Sequence, residues 1–232
     1  MRPHDLAPQT LARLAGGLAH ELKNPLSTIG LHLALLEEDW EVEDGVKPRR
    51  TVKTVRTLKT EVARLNGILE DFLRFARTDL LQAELASLNT QIEQVVQFSS
   101  PEAERLGIQI QSHLDLSLPS VMLDAGRVRQ ALLNLVINSR QAMEERGHGT
   151  ITLITRREGK HAVVEIVDDG PGMEASTLRQ CLQVYYSTKK DGSGLGLATV
   201  GRIVEAHGGT LALESSPGNG TRVSLSFPMG EE

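Results

Sequence analysis

The chain has a single cysteine, Cys181, so it forms no intrachain disulfide and fits a reducing compartment. Aromatic residues are scarce at 3%, with one Trp and two Tyr, and a core must therefore be built mainly from aliphatic side chains. No run approaches the roughly 18 apolar residues of a membrane-crossing helix, and no charged stretch followed by an apolar one opens the sequence. An excess of basic charge is also missing: 25 Lys and Arg face 30 Asp and Glu, for a net charge of −5. That balance speaks against a nucleic-acid partner, which requires a clustered positive patch. The short basic stretch at 47–50, with Lys53 and Arg56, reads as the solvated start of a helix.

What is present is a length of 232 residues, enough for one or two domains, and two segments with different periods. From Leu11 the apolar residues Leu14, Leu18, Leu22, Leu26, Ile29, Leu33 and Leu36 recur every three or four positions, the signature of an amphipathic helix with an apolar stripe about 120° wide. Pro25 lies inside it, in phase on both sides, and predicts a bent helix. His20 falls about 180° from the stripe centre, beside Asn24 and Ser27 and flanked by Glu21, so it points outward. On the wheel alone that describes a solvated surface histidine. A second helix is expected over about 49–77. Its Val55, Leu58, Val62, Leu65, Leu69, Phe72 and Ala76 alternate three and four apart, a heptad pattern that favours supercoiled packing. Two such helices make a hairpin with too little core of its own; pairing two hairpins in a four-helix bundle buries both seams, so a homodimer is expected.

Beyond "TDLLQAELASLN" the pattern becomes mixed. Helices are expected near 90–106 and 125–145. The alternation in "GTITLITRREGKHAVVEIVDD" reads as strands, and a final hairpin turns at "PGNG". The fold class is thus a helical hairpin followed by an α+β sandwich, with domains at 1–80 and 89–232 and a linker at 81–88.

Three stretches of the second domain carry chemistry. In "RVRQALLNLVINSRQAM", Arg127, Asn134, Asn138 and Gln141 share one polar stripe, and two asparagines a turn apart can offer hard oxygen ligands of the kind Mg²⁺ accepts; an ordinary solvated face looks the same. "EIVDDGPGM" puts Asp168 at a strand end before Gly170 and Gly172, where a carboxylate can accept from an exocyclic amine, or where the chain merely turns. In "KKDGSGLGLATVG" the glycines Gly192, Gly194 and Gly196 precede an apolar helix, with Lys189 and Lys190 nearby, a setting that favours phosphate although it is not a Walker A sequence.

These stretches, in this order, resemble those of the bacterial two-component sensor histidine kinases: "AHELKNPL" is similar to the H-box, "NLVINS" to the N-box, "DDGPG" to G1, "YYSTK" to the F-box and "GSGLGL" to G2. The resemblance spans about 10–228 and leans toward the nitrogen-regulation-like branch. It implies an ATP-binding sandwich of the gyrase, chaperone, histidine kinase and mismatch-repair type. It also implies that His20 is the phosphoacceptor, with Glu21 as its acid/base neighbour, and that ATP and Mg²⁺ are the cofactors. Asn138 would hold the metal and Asn134 assist near the phosphates. Asp168 would read the adenine amine in a pocket shaped by Gly170 and Gly172, and Lys189, Gly192, Gly194 and Gly196 would flank the phosphates under a lid at about 174–193. The acid and amide at Glu21 and Asn24 imply a phosphatase of the partner regulator as well. The expected location is cytoplasmic, as a chain in itself or as the cytoplasmic part of a longer sensor.

The sequence departs from the family's usual pattern at several positions. Asp169 stands for a common Asn and adds charge near the nucleotide, Ser139 replaces a common Ala, and Gln141 takes the place of a basic residue, so phosphate contact falls to Arg140 or Lys189. Tyr185 stands for the usual Phe. On the wheel, Ser27, Leu31 and Leu35 continue the ridge below His20 and form a candidate docking strip for a receiver domain of a response regulator, unless the bundle is wide enough to bury them. The other six histidines read as solvated. Two further readings compete: another ATPase of the same superfamily, which lacks the His-bearing hairpin, and a dimeric scaffold that binds a regulator without chemistry.

Overall fold

The computed structural model describes residue 18 and residues 22–36, 48–76, 81–189 and 194–230, with the side chains of 48–50, 64 and 70–76 outside that description. His20, Glu21 and Gly192, expected above as site residues, lie outside the described residues. The chain divides into two compact units, Met1–Thr78 with Lys189–Leu195, and Asp79–Thr188 with Gly196–Glu232.

The described residues of the first unit form two helices. Residues 22–36 form α1, which runs unbroken through Pro25. Pro25 is buried, and the Ser27 hydroxyl downstream donates to the Lys23 carbonyl at 2.8 Å. The second helix, α2, covers Pro48–Ala76; its first residue is a proline, whose missing N–H costs nothing at a helix start. The expected seam on α2 is split. Thr54 and Ile68 are buried and Leu58 and Leu65 half-buried, while Val55, Val62 and Leu69 are exposed at strict seven-residue intervals. On α1, Leu26 and Leu33 of the apolar stripe are exposed as well. A lone hairpin covers only one side of each helix, which is why half of each apolar face stays uncovered.

In the second unit, β1 (Glu84–Ala86) falls inside the stretch expected as linker and pairs antiparallel with β3 (Val121–Leu123). Helix α3 (Leu88–Arg105) starts at Ser87, whose side chain accepts from the Thr90 amide. Strand β2 (Ile108–His113) follows. Helix α4 (Ala125–Met143) is capped by Asp124, which accepts from Arg127 N. Then come β4 (Gly149–Glu158), β5 (His161–Asp168), the single turn α5 (Ala175–Leu178), α6 (Gly196–Ala206), β6 (Thr210–Ser215) and β7 (Thr221–Pro228). The five-stranded sheet has the order β2-β4-β5-β7-β6, with β2 parallel to β4 and the other neighbours antiparallel.

Period two along the central strands decides what faces the helices. Ile151 and Leu153 of β4, Val164 and Ile166 of β5, and Leu225 and Phe227 of β7 join Ile92, Leu132, Val136, Val200 and Ile203 of the helices in one mainly aliphatic core. The opposite sheet face is polar, and there Glu165 accepts from Arg156 at 3.0 Å and pairs with Arg222 at 3.7 Å across the strands.

Candidate nucleotide site

The site forms where α4, the end of β5 and the start of α6 converge. Asn134 and Asn138 are both half-buried on α4. The Asn134 amide donates to the Gly196 carbonyl at 3.2 Å, fixing the first turn of α6 to α4, and its Oδ1 has no protein partner among the described residues. A Cβ placed on Gly196 would come no closer than 3.9 Å to the Asn138 amide, so Asn138 also stands beside the α6 N-terminus. The first-turn N–H groups of a helix lack partners within it, and with the positive end of the helix dipole at that point they favour an anion.

Asp168 ends β5 with its carboxylate on the α4 side, only 7% exposed. Its Oδ2 accepts from the Ser139 hydroxyl at 2.7 Å; its Oδ1 accepts from Gly170 N at 3.0 Å and Thr221 N at 3.1 Å. Behind it the β6–β7 turn closes tightly. Gly172 at φ +69° and Gly220 at φ +69° sit where a Cβ would come within 2.0 Å of the Ser216 carbonyl and 1.9 Å of the Asp168 carbonyl, respectively. Only glycine fits either place. The Ser215 hydroxyl completes the clamp, donating to the Gly220 carbonyl at 2.7 Å and accepting from Met173 N at 2.9 Å.

The structure thus brings together Asn134, Asn138, Asp168, Gly170, Gly172 and Gly196. Lys189 and Gly194 belong to the segment grouped with the helical unit. Asn24 is exposed on α1.

One sequence-based expectation is corrected. Arg140 is not free for phosphate, because its guanidinium pairs with Glu102 of α3 at 3.0 Å. The Asp169 Oδ1 accepts from the Thr150 amide at 2.9 Å, and Asp169 lines a cleft of about 350 Å³ together with Asp168, Thr150, Thr152 and Val167. The reading of all remaining histidines as solvated also fails at His207, which is 8% exposed. There Nδ1 donates to the Ile203 carbonyl at 2.7 Å and Nε2 accepts from Asp124 N at 2.9 Å, joining the end of α6 to the cap of α4. With its two nitrogens in opposite roles, the imidazole is held in one orientation. Its only sequence signal was its place in "VEAHGG" at a helix end.

In the expected lid region, Tyr185 takes a left-handed φ of +65°, uncommon for a residue with a Cβ, and Tyr186 Oη donates to Thr177 Oγ1 at 3.4 Å. Burial pushes the Cys181 thiol up from its ordinary value.

Two families account for most of the chain in series. Residues 10–81 match the His Kinase A (phospho-acceptor) domain, and residues 123–231 match the histidine kinase-, DNA gyrase B- and HSP90-like ATPase. The chain belongs to the two-component sensor histidine kinases. Among similar relatives are the sensor histidine kinase ZraS of Escherichia coli strain K12, 33% identical over 94% of this chain and 46% of that protein. Sporulation kinase B of Bacillus subtilis strain 168 is 28% identical over 94% of this chain and 50% of its own length. The chain therefore spans about half the length of the curated relatives it matches. A crystal structure of full-length ShkA in complex with AMPPNP superposes with a TM-score of 0.68 at 26% identity, over 95% of this chain and 46% of that one. Histidine kinase ThkA, solved in complex with the response regulator protein TrrA, shares the fold at a TM-score of 0.74 and 23% identity, over 96% of this chain and 63% of that one. As in the rest of the family, a phosphoacceptor hairpin precedes an α/β-sandwich ATPase domain.

Proposed function

We propose that this histidine kinase chain phosphorylates its own His20 from Mg-ATP, passes the phosphoryl group to an aspartate of a response regulator, and also dephosphorylates that regulator. The observation that carries the reading is the arrangement at α4, where Asn138 stands beside the α6 N-terminus and the next residue, Ser139, holds the Asp168 carboxylate. A helix start suited to phosphate and a carboxylate suited to a base amine are thus both met by consecutive residues of α4. Domain limits of 1–80 and 89–232 go with this reading.

In the reaction, the neutral His20 imidazole attacks the γ-phosphorus, an N–P bond forms as the bond to the β-phosphate oxygen breaks, and ADP leaves. Glu21 takes up the proton displaced from the other ring nitrogen and stabilises the charged ring. The oxygens of Asn138 and Asn134 suit a hard cation that keeps most of its other ligands as phosphate and water. Mg²⁺ would supply charge neutralisation there. The α6 amides, with Lys189, Gly192 and Gly194 near the phosphates, hold the transferred group in line. Asp168 accepts from the adenine amine. The test is His20-dependent, acid-labile labelling from γ-labelled ATP.

The uncovered apolar residues Leu26, Leu33, Val55, Val62 and Leu69 support a homodimer, since a second hairpin packed on them removes that surface from water. Below Asn24, the Ser27 and Leu31 side chains are exposed and Leu35 is half-buried, which supports a docking strip for the receiver domain. Leu31→Arg should slow phosphotransfer to the regulator about tenfold or more while leaving autophosphorylation intact, measured as label moving between the two proteins. The opposite pattern would defeat the strip. For Asn24, which would position the attacking water, Asn24→Ala should lose regulator dephosphorylation and keep the kinase reaction; an unchanged rate of regulator-phosphate decay would remove Asn24 from that role.

A further inference from the structure

Asp168 offers an inference that the family's sequence pattern does not, because the residue that holds it replaces the common alanine. A carboxylate has about four acceptor positions, two on each oxygen. Three are filled by the protein: Gly170 N and Thr221 N on Oδ1, and the Ser139 hydroxyl on Oδ2. Among the described residues nothing takes the fourth, on Oδ2. Ser139 is itself 7% exposed and sits on rigid α4, one residue after Asn138. The two backbone donors reach only Oδ1, so without Ser139 the carboxylate can rotate about that anchor. With Ser139 in place its plane is fixed, and the one remaining acceptor keeps a single direction.

We propose that Ser139 is a positioning residue for base recognition: by occupying one acceptor of Asp168 Oδ2 it aims the other at the six-position of the bound purine, and so sets the preference for a base that carries a donor there. This rests on the reading of Asp168 as the base-reading carboxylate. In this role Ser139 acts through Asp168, and its effect is confined to how firmly that carboxylate meets one amine. A neutral donor to a buried carboxylate accounts for about tenfold in affinity.

The experiment measures equilibrium binding of two nucleotides to the whole chain, ATP and purine riboside triphosphate, which lacks the six-amine but is otherwise the same ligand. The wild-type protein should bind ATP more tightly. Ser139→Ala should weaken ATP binding about tenfold and leave purine riboside triphosphate unchanged, narrowing the ratio between them. Ser139→Thr, which keeps the hydroxyl, should restore the ratio. Equal weakening of both nucleotides in Ser139→Ala would mean that the residue serves packing alone and would overturn the proposal, as would an unchanged ratio. Asp168→Asn separates the two layers of argument. If it abolishes the preference for ATP while Ser139→Ala does not, the Ser139 role alone falls; if it leaves both nucleotides bound as in the wild type, the base-reading role of Asp168 falls and the Ser139 role with it.

Discussion

Incubated with γ-labelled ATP and Mg²⁺, the protein should take up label that is lost in acid and stable in base, and His20→Gln should take up none. Loss should be complete because the substitution removes the only atom that forms the new bond, whereas changes elsewhere only slow its formation. Glutamine keeps a polar side chain of similar reach at a position that the helical wheel turns away from the apolar stripe, so the helix and the nucleotide domain should be unharmed. ATP binding by the variant, measured in parallel, should therefore match the wild type. Label that survives in His20→Gln would place the acceptor elsewhere. No label in the wild type, with ATP still bound, would favour a scaffold or a protein that acts mainly as a phosphatase.

The second large effect is expected at Asn138. Asn138→Ala removes a half-buried carboxamide whose nitrogen lies beside the α6 N-terminus, and with it the oxygen proposed above to help neutralise charge on the transferring phosphoryl group. Removing one such electrostatic contributor typically costs a factor of about 10² to 10³ in rate. The initial rate of His20 labelling should fall by that amount. Nucleotide binding in excess EDTA should change little, because Asn138 acts through the metal and the phosphates and leaves the base contacts intact. A variant that labels at the wild-type rate would take Asn138 out of the mechanism. One that loses binding even without metal would give it a structural role, like that of Asn134 on the Gly196 carbonyl.

The elements of the second unit were legible because each has a local cause. Period-two alternation in "GTITLITRREGKHAVVEIVDD" became the antiparallel pair β4 and β5, and "PGNG" became the turn between β6 and β7. The apolar periodicities placed α3 and α4 to within a few residues. On the helical hairpin the same logic found the helices but not how each face is used, since Val55 and Leu58 look equivalent in a heptad while one is exposed and the other half-buried.

The sequence by itself determined the order of elements and which residues share a face or a motif, because periodicity and side-chain type act over a few neighbouring residues. Tertiary structure alone decided which of them meet. Ser139 and Asp168 are 29 positions apart and join only because α4 packs across the end of β5. Arg140 turned to Glu102, Asp169 to Thr150, and His207 to the cap of a helix 83 positions earlier. A buried polar group takes whichever partner the packed fold brings within hydrogen-bond reach, and leaving it unpaired is costly. That partner is set by the three-dimensional fit of distant elements, which no local pattern encodes.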